Sequence, residues 1–275
     1  MILEIILIIL APMFGGLLYG FERVVRARMQ NRQGPPIVQP FYDMMKLIDK
    51  QVFIVNPYHS ILGVLHFITL WVVVGFVIMG GNLLYIIFLH LLASLFIVLA
   101  GFSTKSIFSH LGANRELLSM VAYEPILIML AIGFYLLNGS FDISVIRDNP
   151  STLGSMFFLF IAFLFVMQLK LKKSPFDAAK AHQEIVGGAE VEFSGLFFEF
   201  VYMAIWLEYV FIYLLLLLFA GDSIVLGAIL FGVVFLMVNL VDNSTARVRI
   251  DHLIKIFIAI AMSLSLINLL GLSYV

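Results

Sequence analysis

Glu124 stands one residue before Pro125 in an otherwise apolar stretch, and Glu199 and Glu208 interrupt a second such stretch. A third concentration is the segment SPFDAAKAHQEIVGGAEVEFSG, residues 174–195, which holds Asp177, Lys180, His182, Glu184, Glu190 and Glu192. Ionisable groups in apolar surroundings are costly and normally face a protein interior or water. Carboxylates at several depths are what proton relay requires, because burial moves a carboxylate's pKa toward neutrality. Pro125 removes one backbone hydrogen bond and frees a carbonyl near Val121, where a water or proton carrier fits. Glu199 and Glu208 are nine residues apart, about 13 Å along a helix and on different faces, whereas Glu192 and Glu199, seven apart, share one. The candidate relay is therefore Glu124, Asp177, Glu184, Glu190, Glu192, Glu199 and Glu208. Glu4 and Asp242 read as helix-end groups reaching for headgroups, and His66 and His90 as hydrogen-bonded packing residues. No HExxH, Walker A, GxGxxG-with-acid or Gly-x-Ser-x-Gly pattern occurs, so no hydrolytic centre is expected and no catalytic or metal-binding residue is assigned.

Such groups need elements to hold them, and composition says which. The chain has 275 residues, 63% of them hydrophobic and 12% charged, with a mean hydropathy of +1.10. That balance cannot cover a soluble surface and predicts an all-α integral membrane protein. A net charge of −1 gives no basic field for nucleic acid. Without cysteine the chain cannot hold an iron–sulfur cluster through thiolates of its own. Ile2 to Tyr19 reads as a span rather than a cleaved leader, since no small-residue cleavage site follows.

About 20 helical residues cross a hydrocarbon core roughly 30 Å thick. Eight runs reach that range, approximately 2–20, 60–80, 83–102, 117–138, 153–170, 196–219, 223–241 and 253–271. Of the sixteen basic residues, only Arg147 falls outside the linkers after the first, third, fifth and seventh runs and their flanks. The excess places those linkers, at about 21–59, 103–116, 171–195 and 242–252, in the cytoplasm and both termini outside. The expectation is one polytopic domain, residues 1–275, in the cell membrane.

The first linker contains Gly34-Pro35-Pro36, which ends a helix, and Pro40, suited to the first turn of another. From there Phe41, Met44, Met45, Ile48 and Val52 fall on one helical face, with Asp43, Lys46, Asp49 and Lys50 mostly opposite. A helix so patterned lies in the membrane interface. With Arg26, Arg28 and Arg32 before it, the linker is either a membrane-hugging connector or a docking surface. Asp43 is placed to pair with one of those arginines.

Four motifs in order resemble one family, the membrane subunit that joins the peripheral arm to the membrane arm in complex I and its hydrogenase relatives. Arg32-Gln33-Gly34-Pro35-Pro36 with Gln39-Pro40-Phe41 is similar to its first-loop signature, and Tyr123-Glu124 to its fourth-helix Tyr-Glu. Pro175-Phe176-Asp177, Glu184, Gly188, Val191-Glu192-Phe193 and Gly195 resemble its long fifth-to-sixth loop, and Arg247-Val248-Arg249-Ile250-Asp251 its last loop. The resemblance implies a non-catalytic coupling subunit that binds no cofactor itself. It would seat an iron–sulfur small subunit with [4Fe–4S] clusters and a hydrogenase-like large subunit, with NiFe in the hydrogenase branch. Antiporter-like membrane subunits would complete the assembly and move H⁺ or Na⁺. On this reading Arg26, Arg28, Arg32, Asp43, Lys46, Lys180, His182, Arg247, Arg249 and Asp251 dock partners.

Lys180 and His182 stand where quinone-reducing members carry glutamates, and His182-Gln183-Glu184-Ile185-Val186 resembles the membrane-bound [NiFe]-hydrogenase branch. The leading expectation is thus a hydrogenase-type or sulfur-reductase-type subunit. The alternatives are a quinone- or methanophenazine-reducing subunit, a stand-alone secondary transporter and a passive anchor.

Overall fold

A computed structural model describes residues 2–274 of the chain. Its helices are α1 (Ile2–Met29), α2 (Gln39–Ile48), α3 (Pro57–Ile78), α4 (Leu83–Phe102), α5 (Ile107–Asn138), α6 (Ile143–Asp148), α7 (Phe157–Lys170), α8 (His182–Ile185), α9 (Gly195–Leu218) and α10 (Ile224–Ser244). The last, α11 (Ile250–Ser273), widens to a π-helix over Phe257–Met262. Among the described residues, extended pairing is limited to one isolated bridge between Asn82 and Asp142. The protein is all-α.

Seven helices, α1, α3, α4, α5, α9, α10 and α11, are long and apolar enough to cross a membrane. The expected eighth span, 153–170, is instead the 14-residue α7, about 21 Å long and short of the roughly 30 Å core. Protein covers one face of it, where Leu159, Ala162, Phe163, Val166 and Met167 have no exposed surface, while Phe157 and Phe158 remain exposed. Its unwound entrance is satisfied by side chains, with the Leu159 N–H donating to Asn268 Oδ1 at 2.9 Å and Asn268 Nδ2 to the Ser155 carbonyl at 2.8 Å. Backbone polar groups within a bilayer need such partners, and here α11 supplies them in place of another helical turn.

Two expected linkers are shorter than the apolar runs indicated. α1 continues to Met29 and α5 begins at Ile107, so Arg23, Arg26, Arg28, Arg115 and Glu116 are on helices that project past their apolar parts. Hydropathy marks where a helix leaves the hydrocarbon, whereas Arg, Lys and Glu are good helix formers that carry it further. The result is a basic end, where α1, α4, α7 and α10 finish and the 171–195 loop lies.

Small residues bring the helices close. A Cβ on Gly15 of α1 would sit 2.4 Å from the Trp206 carbonyl oxygen of α9, and one on Gly112 of α5 would sit 2.3 Å from Gly188 Cα in the loop. Close approach of this kind is how helices associate without a hydrophobic driving force in lipid. The short α2 is wedged beside α1 and α9, its Phe41 ring 5.3 Å from Trp206. Met45 and Ile48 remain exposed. Because α2 ends at Ile48, Val52 is not part of its apolar face.

Candidate functional site: a charged cavity under the 171–195 loop

Helix α7 ends at Lys170 and is followed by Leu171-Lys172-Lys173, where the left-handed backbone at Lys172 (φ +52°) turns the chain sharply. The three ammonium groups consequently meet three different sets of acids. Lys170 Nζ reaches inward to Glu208 Oε1 at 2.9 Å, and to Ser94 Oγ and Tyr123 Oη, both at 3.2 Å. Lys172 pairs with Glu190 at 3.2 Å and Glu116 at 3.7 Å, and Lys180 closes on Glu190 at 2.5 Å. Lys173 pairs with Glu22 of α1 and lies 3.8 Å from Asp242 of α10. Asp242 also binds Arg26 at 3.3 Å and accepts from the Ser174 N–H at 2.9 Å.

Above these pairs the loop is tied to its neighbours. Arg247 grips Asp177 with two hydrogen bonds of 2.6 and 2.7 Å. Arg115 binds Glu184 at 2.7 Å, with Arg247 3.6 Å from the same carboxylate. Gly187 and Gly188, with φ of +123° and +67°, let the loop double back onto Gly112.

The charges follow from these contacts. Burial alone would raise the Glu190 carboxyl, but Lys180 and Lys172 hold it down at about 2. Burial opposes the charge on Lys172, yet Glu116 and Glu190 carry it above its ordinary value. The hydrogen bond from Arg115 lowers Glu184, and the one to Asp177 raises Arg247.

These groups line a cavity of about 380 Å³, room for about a dozen waters at roughly 30 Å³ each. It runs from Asp177, His182 and Arg247 at the loop to Lys170, Glu208 and His66 inside the bundle. Such a chamber can hold and pass protons or small ions.

Of the candidate relay, Asp177, Glu190 and Glu208 line the cavity, and Glu184 lies outside the lining, 3.6 Å from its Arg247. Glu124 is 3.5 Å from His90 Nδ1, and His90 Nε2 is 3.0 Å from Glu208. Glu192 and Glu199 are not in the lining. Glu192 precedes α9, whose first residue Gly195 has φ +52°, so the two do not share a helical face as their spacing implied. Glu199 is buried with Oε2 unpartnered.

The residues read as docking groups divide in two. Arg26, Lys180 and Arg247 turn inward to Asp242, Glu190 and Asp177. Arg28, Arg32, Lys46, His182, Arg249 and Asp251 are exposed, the last two paired at 3.3 Å. Asp43 pairs at 3.0 Å with Arg23, not with Arg26, Arg28 or Arg32, and accepts from Gln39 at 2.9 Å. Burial works against the Asp43 charge, but Gln39 and Arg23 hold its carboxyl below the ordinary range.

Sequence reasoning missed Lys170, Lys172, Lys173, Glu22 and Glu116. It placed Asp242 among headgroups, although Asp242 is an internal ion-pair partner. The available signal was three lysines within four residues directly before Ser-Pro-Phe-Asp, which had counted only toward orientation.

The fold and site define a multi-pass membrane protein with a charged chamber that reaches from the 171–195 loop into the helix bundle. The chain belongs to the NADH dehydrogenase family, whose family model matches residues 2–273. It is 30% identical to formate hydrogenlyase subunit 4 of Escherichia coli (strain K12), over 91% of each chain. It is 28% identical to an NADH-quinone oxidoreductase subunit of Brevibacillus brevis, over 96% of this chain and 89% of that one. Among solved structures, a chain of the membrane-bound sulfane sulfur reductase, an archaeal respiratory membrane complex, superposes with a TM-score of 0.90 at 22% identity and 98% coverage of both chains. That likeness establishes the shared fold.

Proposed function

We propose that this chain is the coupling subunit, in the cell membrane, of a complex I-like, ion-translocating complex of the hydrogenase or sulfur-reductase kind. One observation carries the reading: the cavity joins a loop face built of ion pairs to Glu208 within the bundle. Family membership and the likeness to formate hydrogenlyase subunit 4 support it.

On this reading the basic end faces the cytoplasm, and the exposed Arg28, Arg32, Lys46, His182 and Arg249 contact an iron–sulfur small subunit and a hydrogenase-like large subunit. With no cysteine of its own, the chain leaves [4Fe–4S] clusters, and NiFe where present, to those partners. Electron transfer there would shift the charge balance over Asp177, Glu184 and Glu190. Protons would then move through Glu208 and Glu124 toward antiporter-like membrane subunits.

The test is purification of the intact complex, assay of iron and nickel, and measurement of ferredoxin-driven activity with gradient formation in vesicles. The reading expects hydrogen evolution with nickel, or reduction of a sulfur compound without it, each building an ion gradient. Activity that disappears when the lipid carrier is extracted and returns with added quinone or methanophenazine would overturn it in favour of the carrier-reducing branch. Ion flux through this chain alone would make it a transporter. Glu124→Gln that assembles and leaves pumping intact would reduce it to an anchor.

A further inference from the structure

His90 is fully enclosed on α4, between carboxylates from two other helices. Its Nε2 lies 3.0 Å from Glu208 Oε1 on α9, and its Nδ1 lies 3.5 Å from Glu124 Oε1 on α5. The ring stacks on Phe211 with centroids 4.6 Å apart, which fixes its plane. A packing histidine needs one partner, as His66 has in the Ala93 carbonyl at 2.7 Å. An imidazole with an acid at each nitrogen is arranged differently, because it can accept a proton on one and release one from the other.

Two further contacts give the arrangement a direction. Lys170 Nζ meets the same Glu208 oxygen that faces His90, and it does so from the cavity side. Neither oxygen of the buried Glu124 has a hydrogen-bond partner among the described residues, so the carboxyl is free to turn toward the ring. Unsatisfied buried carboxylate oxygens are costly, and an arriving proton relieves that cost.

We propose that His90 is a two-sided proton shuttle between Glu208, at the inner end of the cavity, and Glu124, with Lys170 governing release from Glu208. The inference rests on reading the cavity as a proton route. It starts from protonated Glu208, with neutral His90 carrying its proton on Nδ1. Return of the Lys170 ammonium to Glu208 favours the carboxylate, so the Glu208 O–H bond breaks as a bond to Nε2 forms. The Nδ1–H bond then breaks as an O–H bond to Glu124 forms. One proton has moved and no electrons have. His90 is left with its proton on Nε2, and a proton exchange at the two ring nitrogens with water, with no turning of the stacked ring, restores the starting tautomer before the next transfer.

The test uses the intact complex carrying His90→Gln, whose amide still hydrogen-bonds both acids but cannot carry a proton. In deuterated water, infrared spectroscopy follows exchange at the protonated Glu124 carboxyl, its band identified by loss in Glu124→Gln. Exchange should slow by about a hundredfold, the low end for a positioned proton-transfer group, and His110→Gln, at a histidine outside the cavity lining, should leave it unchanged. If His90→Gln does not assemble, Glu208→Gln cuts the same route one step earlier and should slow exchange equally. Unaltered exchange in either assembled variant overturns the shuttle. Gradient formation is measured alongside: the variant should transfer electrons without building a gradient, and a gradient matching the unsubstituted complex overturns the proposal. An unsubstituted complex that builds no gradient would defeat the coupling reading alone, with the exchange rate still deciding the shuttle.

Discussion

Replacing Glu190 with Gln should loosen the 171–195 loop, and the size of the effect can be worked out. Glu190 is 6% exposed and holds Lys180 at 2.5 Å and Lys172 at 3.2 Å. Burial disfavours its charge, but the two lysines pull its carboxyl from an ordinary 4.5 to about 2. At about 1.4 kcal/mol per pKa unit, the charged form is favoured by about 3 kcal/mol in the closed loop. Breaking a buried pair from one side costs a similar amount, about 3–5 kcal/mol, because the remaining charge is stranded. Local opening should therefore rise by about a hundredfold. Hydrogen exchange on the assembled complex reads this directly in peptides covering residues 178–193, with α4 and α9 as internal references. The sign with pH follows from the lowered pKa. The Glu190 contribution is complete above about 4.5 and is lost as pH falls from there toward 2, so acid should open the unsubstituted loop across that window. In Glu190→Gln that acid step should shrink, because the group that titrates is gone. Unchanged protection in an assembled Glu190→Gln complex, or an acid step of undiminished size, would refute the argument that this carboxylate holds the loop shut.

Four further outcomes follow from packing, ion pairing and capping. Gly112→Val should prevent the loop from seating, since even a Cβ would meet Gly188 Cα at 2.3 Å and Ala189 N at 2.5 Å. Gly232→Ala, where nothing lies within 4 Å, should raise thermal stability by about 0.5–1 kcal/mol through helix propensity, and equal melting of the two variants would count against this account. Arg247→Lys should lose the two-pronged grip on Asp177 and about 1 kcal/mol of local protection at residues 175–178, a modest figure because both side chains are partly in solvent. Asn268→Ala should remove the hydrogen bond that starts α7 and lower the melting temperature of the detergent-solubilised complex, at a cost of about 1–2 kcal/mol.

What could be read ahead was whatever one helix decides alone. Ile2–Met29 and Leu83–Phe102 span because their own residues are apolar for long enough, and no neighbour has to be known. The short α7 escaped the same reasoning. Turns at residues 153–156 replace the start of the run, and Asn268, over a hundred residues away, is what makes the interruption tolerable. The site divides in the same way. Glu124 and Glu208 stood out because a carboxylate in apolar sequence is conspicuous anywhere. Lys170, Lys172 and Lys173 looked like ordinary flanking basic residues, and only the turn at Lys172 shows that they point to separate acids.

By itself, then, the sequence determined that this chain crosses a membrane many times, that its basic residues gather at one end, and that carboxylates are kept inside. Those properties follow from the transfer energies of side chains and from helix length, both local quantities. Only the tertiary structure decided which acid meets which base. Glu22 with Lys173, Asp242 with Arg26, and His90 with Glu124 and Glu208 join residues from 34 to 216 positions apart. Their pairing depends on how helices rotate and close on small residues such as Gly15 and Gly112. A buried charge must find a partner, but which partner it finds is set by packing.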